Sequence, residues 1–364
     1  MPRSTTHQRP VMIMAGGTGG HIFPALAVAR LLQADGVPVV WLGTRRGLES
    51  RIVPQAGLPI EWLSISGLRG KGKLTLALAP FKLALACWQS LRALLRHRPR
   101  CVLGMGGFVA GPGGWMAKWV GVPLVIHEQN AVAGLTNVKL APRASAVLEA
   151  FPHTFAQRYQ AECVGNPVRQ EILAIPELRL AADRPLKLLV IGGSLGAMSL
   201  NQMIPKAIAA LPENARPQVR HQTGQHSHKQ TIADYRELAV EAQVDAFIED
   251  MAAAYHWADV VICRAGAMTV SELAVAGRPA LFVPYPFAVD DHQRFNAAYL
   301  ANAGAAVCIT QKDLTVEGLT QQLSDWHADR DALLSMSQKA REKALPHAAQ
   351  RVAEVVLTAG GTNE

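Results

Sequence analysis

A carboxylate set about one turn into a helix that starts on small residues suits a nucleotide, and the stretch from Val260 to Asn296 offers one in Glu272. The apolar run Val260-Val261-Ile262-Cys263 reads as a buried strand, Arg264-Ala265-Gly266-Ala267 as a turn, and Met268 to Ala276 as the helix. N–H groups at such a helix start attract a diphosphate, and Glu272 can accept ribose hydroxyls. After a strand at Ala280 to Pro284, Asp290-Asp291-His292-Gln293 lines up short donors and acceptors that can read sugar hydroxyls. The competing reading is one more strand-helix-strand unit with Glu272 solvated.

A second set of chemistry-bearing residues lies near the N-terminus. Val11 to Ala15 reads as a buried strand running into Gly16-Gly17-Thr18-Gly19-Gly20-His21, with a helix from about Pro24 to Ala34. Four glycines let a ligand's oxygens approach the backbone, as in a phosphate-cradling turn. The dinucleotide fingerprint fails where Ile22 replaces the third glycine, yet Arg45-Arg46 after the next strand can hold a 2′-phosphate, so an NADP oxidoreductase stands as an alternative. Six glycines between Gly104 and Gly114 predict a second anion-receptive turn, with its helix beginning near Trp115. A strand at Pro123 to Ile126 ends in His127-Glu128-Gln129-Asn130, where side chains of a parallel sheet face its ligand crevice.

The elements that must position these residues are strands alternating with helices. The pattern pauses at Val164-Gly165-Asn166-Pro167-Val168-Arg169 and restarts with a strand at Leu186 to Ile191, the turn Gly192-Gly193-Ser194-Leu195-Gly196-Ala197 and a helix from Met198. At 364 residues, two doubly wound α/β domains with a ligand cleft between them are expected. Asp329-Arg330-Asp331 falls in a helical, solvated segment and is no metal motif, and no His, Cys or carboxylate cluster has metal-ligand spacing, so neither a metal nor a cofactor is expected.

Residues 1–165 carry 18 Lys and Arg against 6 Asp and Glu, whereas residues 166–364 carry 18 against 22, so the first half faces something anionic. Without a helix-turn-helix, RNP or zinc-finger pattern, nucleic acid is disfavoured and an anionic membrane surface preferred. The run from Leu74 to His97 is apolar nearly all round at first and basic later, but Pro80 and Lys82 keep it too short to span a bilayer. It predicts an interfacial helix with Leu74, Leu78, Phe81, Lys82 and Trp88 at the lipid; a core helix with a basic tail is the other reading. The polar N-terminus lacks a secretory pattern, and five scattered cysteines read as buried hydrophobes, which suits a cytoplasmic protein.

Taken in order, GGTGGHIFP (16–24), SGLRGKG (66–72), GMGGFVAGP (104–112), HEQNAVAGLTN (127–137), GNPVR (165–169), GGSLGA (192–197), FIEDMAAAY (247–255) and CRAGAMTVSE (263–272) resemble the bacterial MurG family. These are UDP-N-acetylglucosamine:undecaprenyl-diphospho-muramoyl-pentapeptide N-acetylglucosaminyltransferases. The resemblance implies a GT-B fold: an acceptor- and membrane-binding domain at 1–165, joined by the last helix at about 346–364, and a UDP-GlcNAc domain at 166–345. It implies inverting transfer of GlcNAc from UDP-GlcNAc to the C4 hydroxyl of lipid I, at the cytoplasmic face of the inner membrane beside other cell-wall synthesis proteins. By motif, Ile248 meets the uracil through its backbone and Glu272 the ribose. Ser194, Ala267, Met268 and Thr269 meet the diphosphate, with Val270 and Ser271 in the same donor-binding run. His292 and Gln293 read the GlcNAc hydroxyls, and Thr18, Gly19, Gly20, Asn130 and Arg169 complete the site. Phe108 stands where a Tyr is often found and Leu195 where Gln is common, so no hydroxyl acts at position 108. His21, opening its helix, is the general-base candidate, with a phosphate-contacting role as its alternative, and Glu128 is the reserve. A membrane-bound scaffold without catalysis is the remaining alternative.

Overall fold

The structure, a computed structural model, describes residues 9–65, 79–181, 183–193 and 196–361. The chain divides into two compact units, the first ending at Arg169 and resuming at Leu345, the second being Gln170–Ala344. GNPVR (165–169) therefore belongs wholly to unit 1.

Unit 1 is built on β1 (Val11–Met14), β2 (Val39–Thr44), β3 (Ile60–Leu63), β4 (Cys101–Gly104), β5 (Leu124–Glu128), β6 (Ala146–Glu149) and β7 (Glu162–Cys163). They pair in the order β3-β2-β1-β4-β5-β6-β7, every pair parallel. β1 is buried on both faces, which is why its sequence is an unbroken apolar run. Val11 and Ile13 pack with helix Gly19–Ala34 and with Val352 and Val356 of helix Ala348–Ala359. Met12 and Met14, pointing the other way, pack with Ala93 and Leu94 of helix Ala79–His97 and with Val109, Ala110 and Ala117 of helix Gly107–Trp119.

Unit 2 repeats the plan with β8 (Lys187–Ile191), β9 (Gln218–Gln222), β10 (Gln243–Asp245), β11 (Val260–Cys263), β12 (Ala280–Phe282) and β13 (Ala306–Cys308). Their order is β10-β9-β8-β11-β12-β13, again all parallel. Leu188, Val190, Val260 and Ile262 form its core with Leu200, Ile204 and Ile208 of helix Met198–Ala209. In each unit the strand order reverses beside the first strand, at β1/β4 and β8/β11. Ligands of such sheets bind outside the carboxyl ends of the strands at that point.

Helix Gly107–Trp119 starts eight residues before the expected Trp115, because its glycines are packing positions: a Cβ on Gly114 would sit 2.9 Å from Leu140, and one on Gly113 would strike Met14. The segment after β10 runs to helix Met251–Trp257, capped by Asp250 accepting from the Ala253 N–H at 2.9 Å. Asp329 is the cap of helix Arg330–Glu342, accepting from the Ala332 N–H at 2.9 Å. Leu74, Leu78, Ser194, Leu195 and the SGLRGKG motif lie outside the described residues.

Candidate functional site

In unit 1 the turn after β1 is fixed from beneath. Buried Glu49 accepts from the Gly17 N–H at 3.1 Å with one oxygen, and from the Thr44 N–H at 2.9 Å and the Thr44 hydroxyl at 2.7 Å with the other. The Trp41 indole donates to the Ala15 carbonyl at 2.8 Å. Room for the carboxylate comes from a missing side chain: a Cβ on Gly16 would lie 2.7 Å from Glu49 Oε1. Helix Gly19–Ala34 begins inside the glycine run, so exposed Thr18 is its N-cap residue, and Gly19, Gly20 and half-buried His21 form its first turn.

Loop 129–134 and segment 165–169 meet that turn. His21 Nδ1 is 2.8 Å from Gln129 Oε1; Gln129 Nε2 is 3.0 Å from His127 Nδ1, and His127 Nε2 is 2.8 Å from the Gly165 carbonyl. Burial pulls the His127 pKa down to about 4, so the ring is neutral at neutral pH. Asn166 Nδ2 donates to the Gln129 carbonyl at 3.0 Å. The Arg169 guanidinium lies 5.7 Å from the Phe23 ring centroid. Glu128 accepts from the Asn130 N–H and Nδ2 at 3.1 and 3.2 Å, from the Gly134 N–H at 3.0 Å and from Asn137 Nδ2 at 2.9 Å. A buried carboxylate holding four donors anchors a loop. Glu128 thereby holds Asn130 in place at the end of β5.

In unit 2, Gly266 is the N-cap of helix Ala267–Ala276 and has no side chain to accept the first N–H groups, so those of Ala267, Met268 and Thr269 face outward from the helix start, while the Val270 N–H returns to the Gly266 carbonyl. Ser271 is half-buried in the next turn. Glu272 is buried and its Oε2 accepts from the Tyr255 hydroxyl at 3.0 Å; the Tyr255 carbonyl in turn accepts from Arg278 Nε at 2.7 Å. Ile248 is buried in the segment leading to that tyrosine's helix. Gln293 accepts from the Tyr285 N–H at 2.9 Å, and His292 is half-buried beside it at the start of helix His292–Ala301.

Sequence reasoning missed Glu49 and the part Arg264 plays. Arg264 ties the end of β11 to the Val283 and Pro284 carbonyls at 3.0 and 3.2 Å and to Gln311 Oε1 at 2.6 Å. The only local signal for Glu49 is the cluster Gly16, Gly43 and Gly47, at each of which a Cβ would collide with it.

On the surface of unit 1, Phe81 is 74% and Trp88 56% exposed on helix Ala79–His97, and Lys82 is exposed. Trp115 and Trp119 are exposed on the adjoining helix Gly107–Trp119, and Arg143 stacks 4.2 Å from Trp115. Among the described residues no helix is long and apolar enough to cross a membrane.

Two parallel sheets of matching order make this a two-domain α/β protein of the GT-B fold. Residues 11–149 match the glycosyltransferase family 28 N-terminal domain and residues 187–352 its C-terminal domain. The chain belongs to this family of glycosyltransferases, and within it to the MurG enzymes. It is 55% identical over 350 residues to the UDP-N-acetylglucosamine–N-acetylmuramyl-(pentapeptide) pyrophosphoryl-undecaprenol N-acetylglucosamine transferase of Nitrosococcus oceani, covering 95% of this chain and 98% of that one. The Azotobacter vinelandii protein of the same name is 53% identical, over 95% of this chain and 98% of its own. The crystal structure of Acinetobacter baumannii MurG superposes with a TM-score of 0.84 at 44% identity, covering 96% of this chain and 99% of that one. A kitacinnamycin glycosyltransferase, at 17% identity and a TM-score of 0.71, shares the fold.

Proposed function

We propose that this protein transfers GlcNAc from UDP-GlcNAc to the C4 hydroxyl of the MurNAc of lipid I, undecaprenyl-diphospho-MurNAc-pentapeptide, giving lipid II and UDP with inversion at C1. The observation that carries this reading is 55% identity across 95% of the chain to a transferase named for that donor and acceptor. Unit 2 supplies the donor's partners. The N–H groups of Ala267, Met268 and Thr269 take the diphosphate, a role shared by Ser194, and Val270 and Ser271 continue that helix. Glu272, its carboxylate held by Tyr255, takes the ribose; the backbone of Ile248 takes the uracil; His292 and Gln293 read the GlcNAc. In unit 1, Thr18, Gly19, Gly20, Asn130 and Arg169 are the residues this reading gives to substrate binding.

His21 is the base. Its imidazole takes the proton from the C4 hydroxyl as that oxygen bonds to C1; the bond from C1 to the β-phosphate oxygen breaks, and its electron pair leaves with UDP. The positive helix start at Ala267 stabilises the charge that develops on the departing diphosphate, so no metal is required. Exposed Phe81, Lys82 and Trp88, continuing from Leu74 and Leu78, hold unit 1 on an anionic membrane surface, the cytoplasmic face of the inner membrane, within reach of the lipid-linked acceptor and of other wall-synthesis proteins.

The test is transfer of labelled GlcNAc from UDP-GlcNAc to a short-chain lipid I analogue with excess EDTA. Product under EDTA is expected. No product with or without magnesium, from folded protein, overturns the reading and directs attention to NADPH binding.

A further inference from the structure

His21 and the pair Gln129 and His127 come from two separate parts of unit 1 and form one line of hydrogen bonds that ends on the Gly165 carbonyl, in a third. Two of its ends are backbone carbonyls, which can only accept, and they fix the direction of every bond between them. His127 Nε2 faces the Gly165 carbonyl at 2.8 Å, so it carries the ring's proton. The ring is fully buried and neutral, so Nδ1 holds the lone pair. Gln129 Nε2 lies 3.0 Å from that lone pair and 3.2 Å from the His127 carbonyl, and both sites demand a donor, so the amide nitrogen belongs on this side. The amide oxygen is thereby turned toward His21, 2.8 Å from Nδ1. An amide oxygen accepts only, so His21 carries its proton on Nδ1 and its lone pair on Nε2.

We propose that Gln129, oriented by His127 and the Gly165 carbonyl, is a positioning residue that fixes the tautomer and ring plane of His21 so that Nε2 is the atom that takes the acceptor's proton. The inference rests on the reading of His21 as the base and adds the parts that make it one. It explains why two separate motifs, HEQN (127–130) and GNPVR (165–169), sit together: Asn166 clamps the Gln129 backbone at 3.0 Å while Gly165 terminates the chain. It also assigns a reason for the glycine at 106, whose φ is +82°: a Cβ there would stand 3.1 Å from His21 Nδ1 and 3.4 Å from Gln129 Oε1, inside the bond the pair makes. A neutral amide holds the ring without adding charge. A carboxylate in its place would hold the protonated ring more tightly.

The experiment has two independent arms. Nitrogen-15 NMR of histidine-labelled whole protein, with the His21 signal identified by its loss in His21→Ala, reads the tautomer directly. The Nδ1–H form is expected in the native protein and a mixture in Gln129→Met, which keeps the side chain's length without its hydrogen bonds. Kinetics supply the other arm: Gln129→Met lowers kcat by roughly 10–100-fold with KM for UDP-GlcNAc within about twofold. Gln129→Glu keeps the acceptor for His21 but sets an oxygen against the His127 lone pair and carbonyl, so it regains only part of the turnover, at high pH, with the acid limb of its pH–rate profile moved upward. A native His21 in the Nε2–H form overturns the proposal even if both variants unfold. An unchanged kcat in folded Gln129→Met does the same. Full turnover in His21→Ala would instead overturn the base assignment, while the NMR result still reports on the relay.

Discussion

In unit 1 the turn after the first strand is closed from within: Glu49, buried under it, takes the Gly17 N–H, and the side chain presented at the helix start is an imidazole. In unit 2 the helix start after β11 has a glycine cap, and Tyr255 steers the carboxylate of Glu272 from a neighbouring helix. Both turns follow a buried strand and stand at a reversal of strand order. A glycine-rich turn is therefore not in itself a phosphate site. Where an internal carboxylate takes an N–H of the turn, as Glu49 takes that of Gly17, the turn is braced from within. Where the N–H groups face outward, an anion has donors to meet.

The contrast breaks or sharpens under substitution. The largest effect is expected from His21→Ala: turnover falls by about 10²–10⁴ while calorimetric affinity for UDP is kept. Loss of UDP binding alongside turnover would erase the division between the units. Glu272→Ala should do the converse, weakening UDP by roughly 10–100-fold through the loss of charged hydrogen bonds, and it lowers the melting temperature as well because it takes a partner from the buried Tyr255 hydroxyl. Glu49→Gln comes third. It keeps the shape but turns an amide nitrogen toward donors, costing about 1–3 kcal/mol in unfolding free energy while UDP affinity stays put. A drop in UDP affinity would mean that the unit 1 turn holds donor phosphate after all.

The smallest effect should not separate the units at all. Burial holds His127 near pKa 4 in unit 1 and His221 near 3 in unit 2, both below their unfolded value of about 6.5. Unfolding therefore takes up protons between those values. The stability these neutral rings contribute is complete above about pH 6.5 and is lost as pH falls through their folded pKa values. Calorimetric melting points taken from pH 7 down to 4.5 should fall for both units.

The strands, the restart of the pattern after Arg169 and the residues at the strand ends were legible because apolar runs followed by glycine leave few alternatives in a parallel sheet. β6 and β7 were not: Ala146–Glu149 is short, and Glu162–Cys163 is a two-residue edge strand set by pairing with β6 rather than by its own side chains. Helix Gly107–Trp119 was hidden by glycines whose use, close approach to Met14 and Leu140, depends on partners far off in sequence. Glu49 gave no sign of its part for the same reason. His127 and Glu128 were visible as a polar pair at a strand end, but sequence could not tell that Glu128 would be saturated by its own loop and that Gln129 would be the residue reaching His21.

The helix Ala348–Ala359 fills a slot in the core of unit 1 with Val352, Ala353 and Val356, yet it is translated only after all of Gln170–Ala344. At about 5–20 residues per second that intervening stretch takes roughly 10–35 s. During synthesis the first 169 residues must wait with one wall of their core unmade, while the stretch made after them already contains everything its own core needs. On the ribosome, the second unit in sequence should be the first to finish folding.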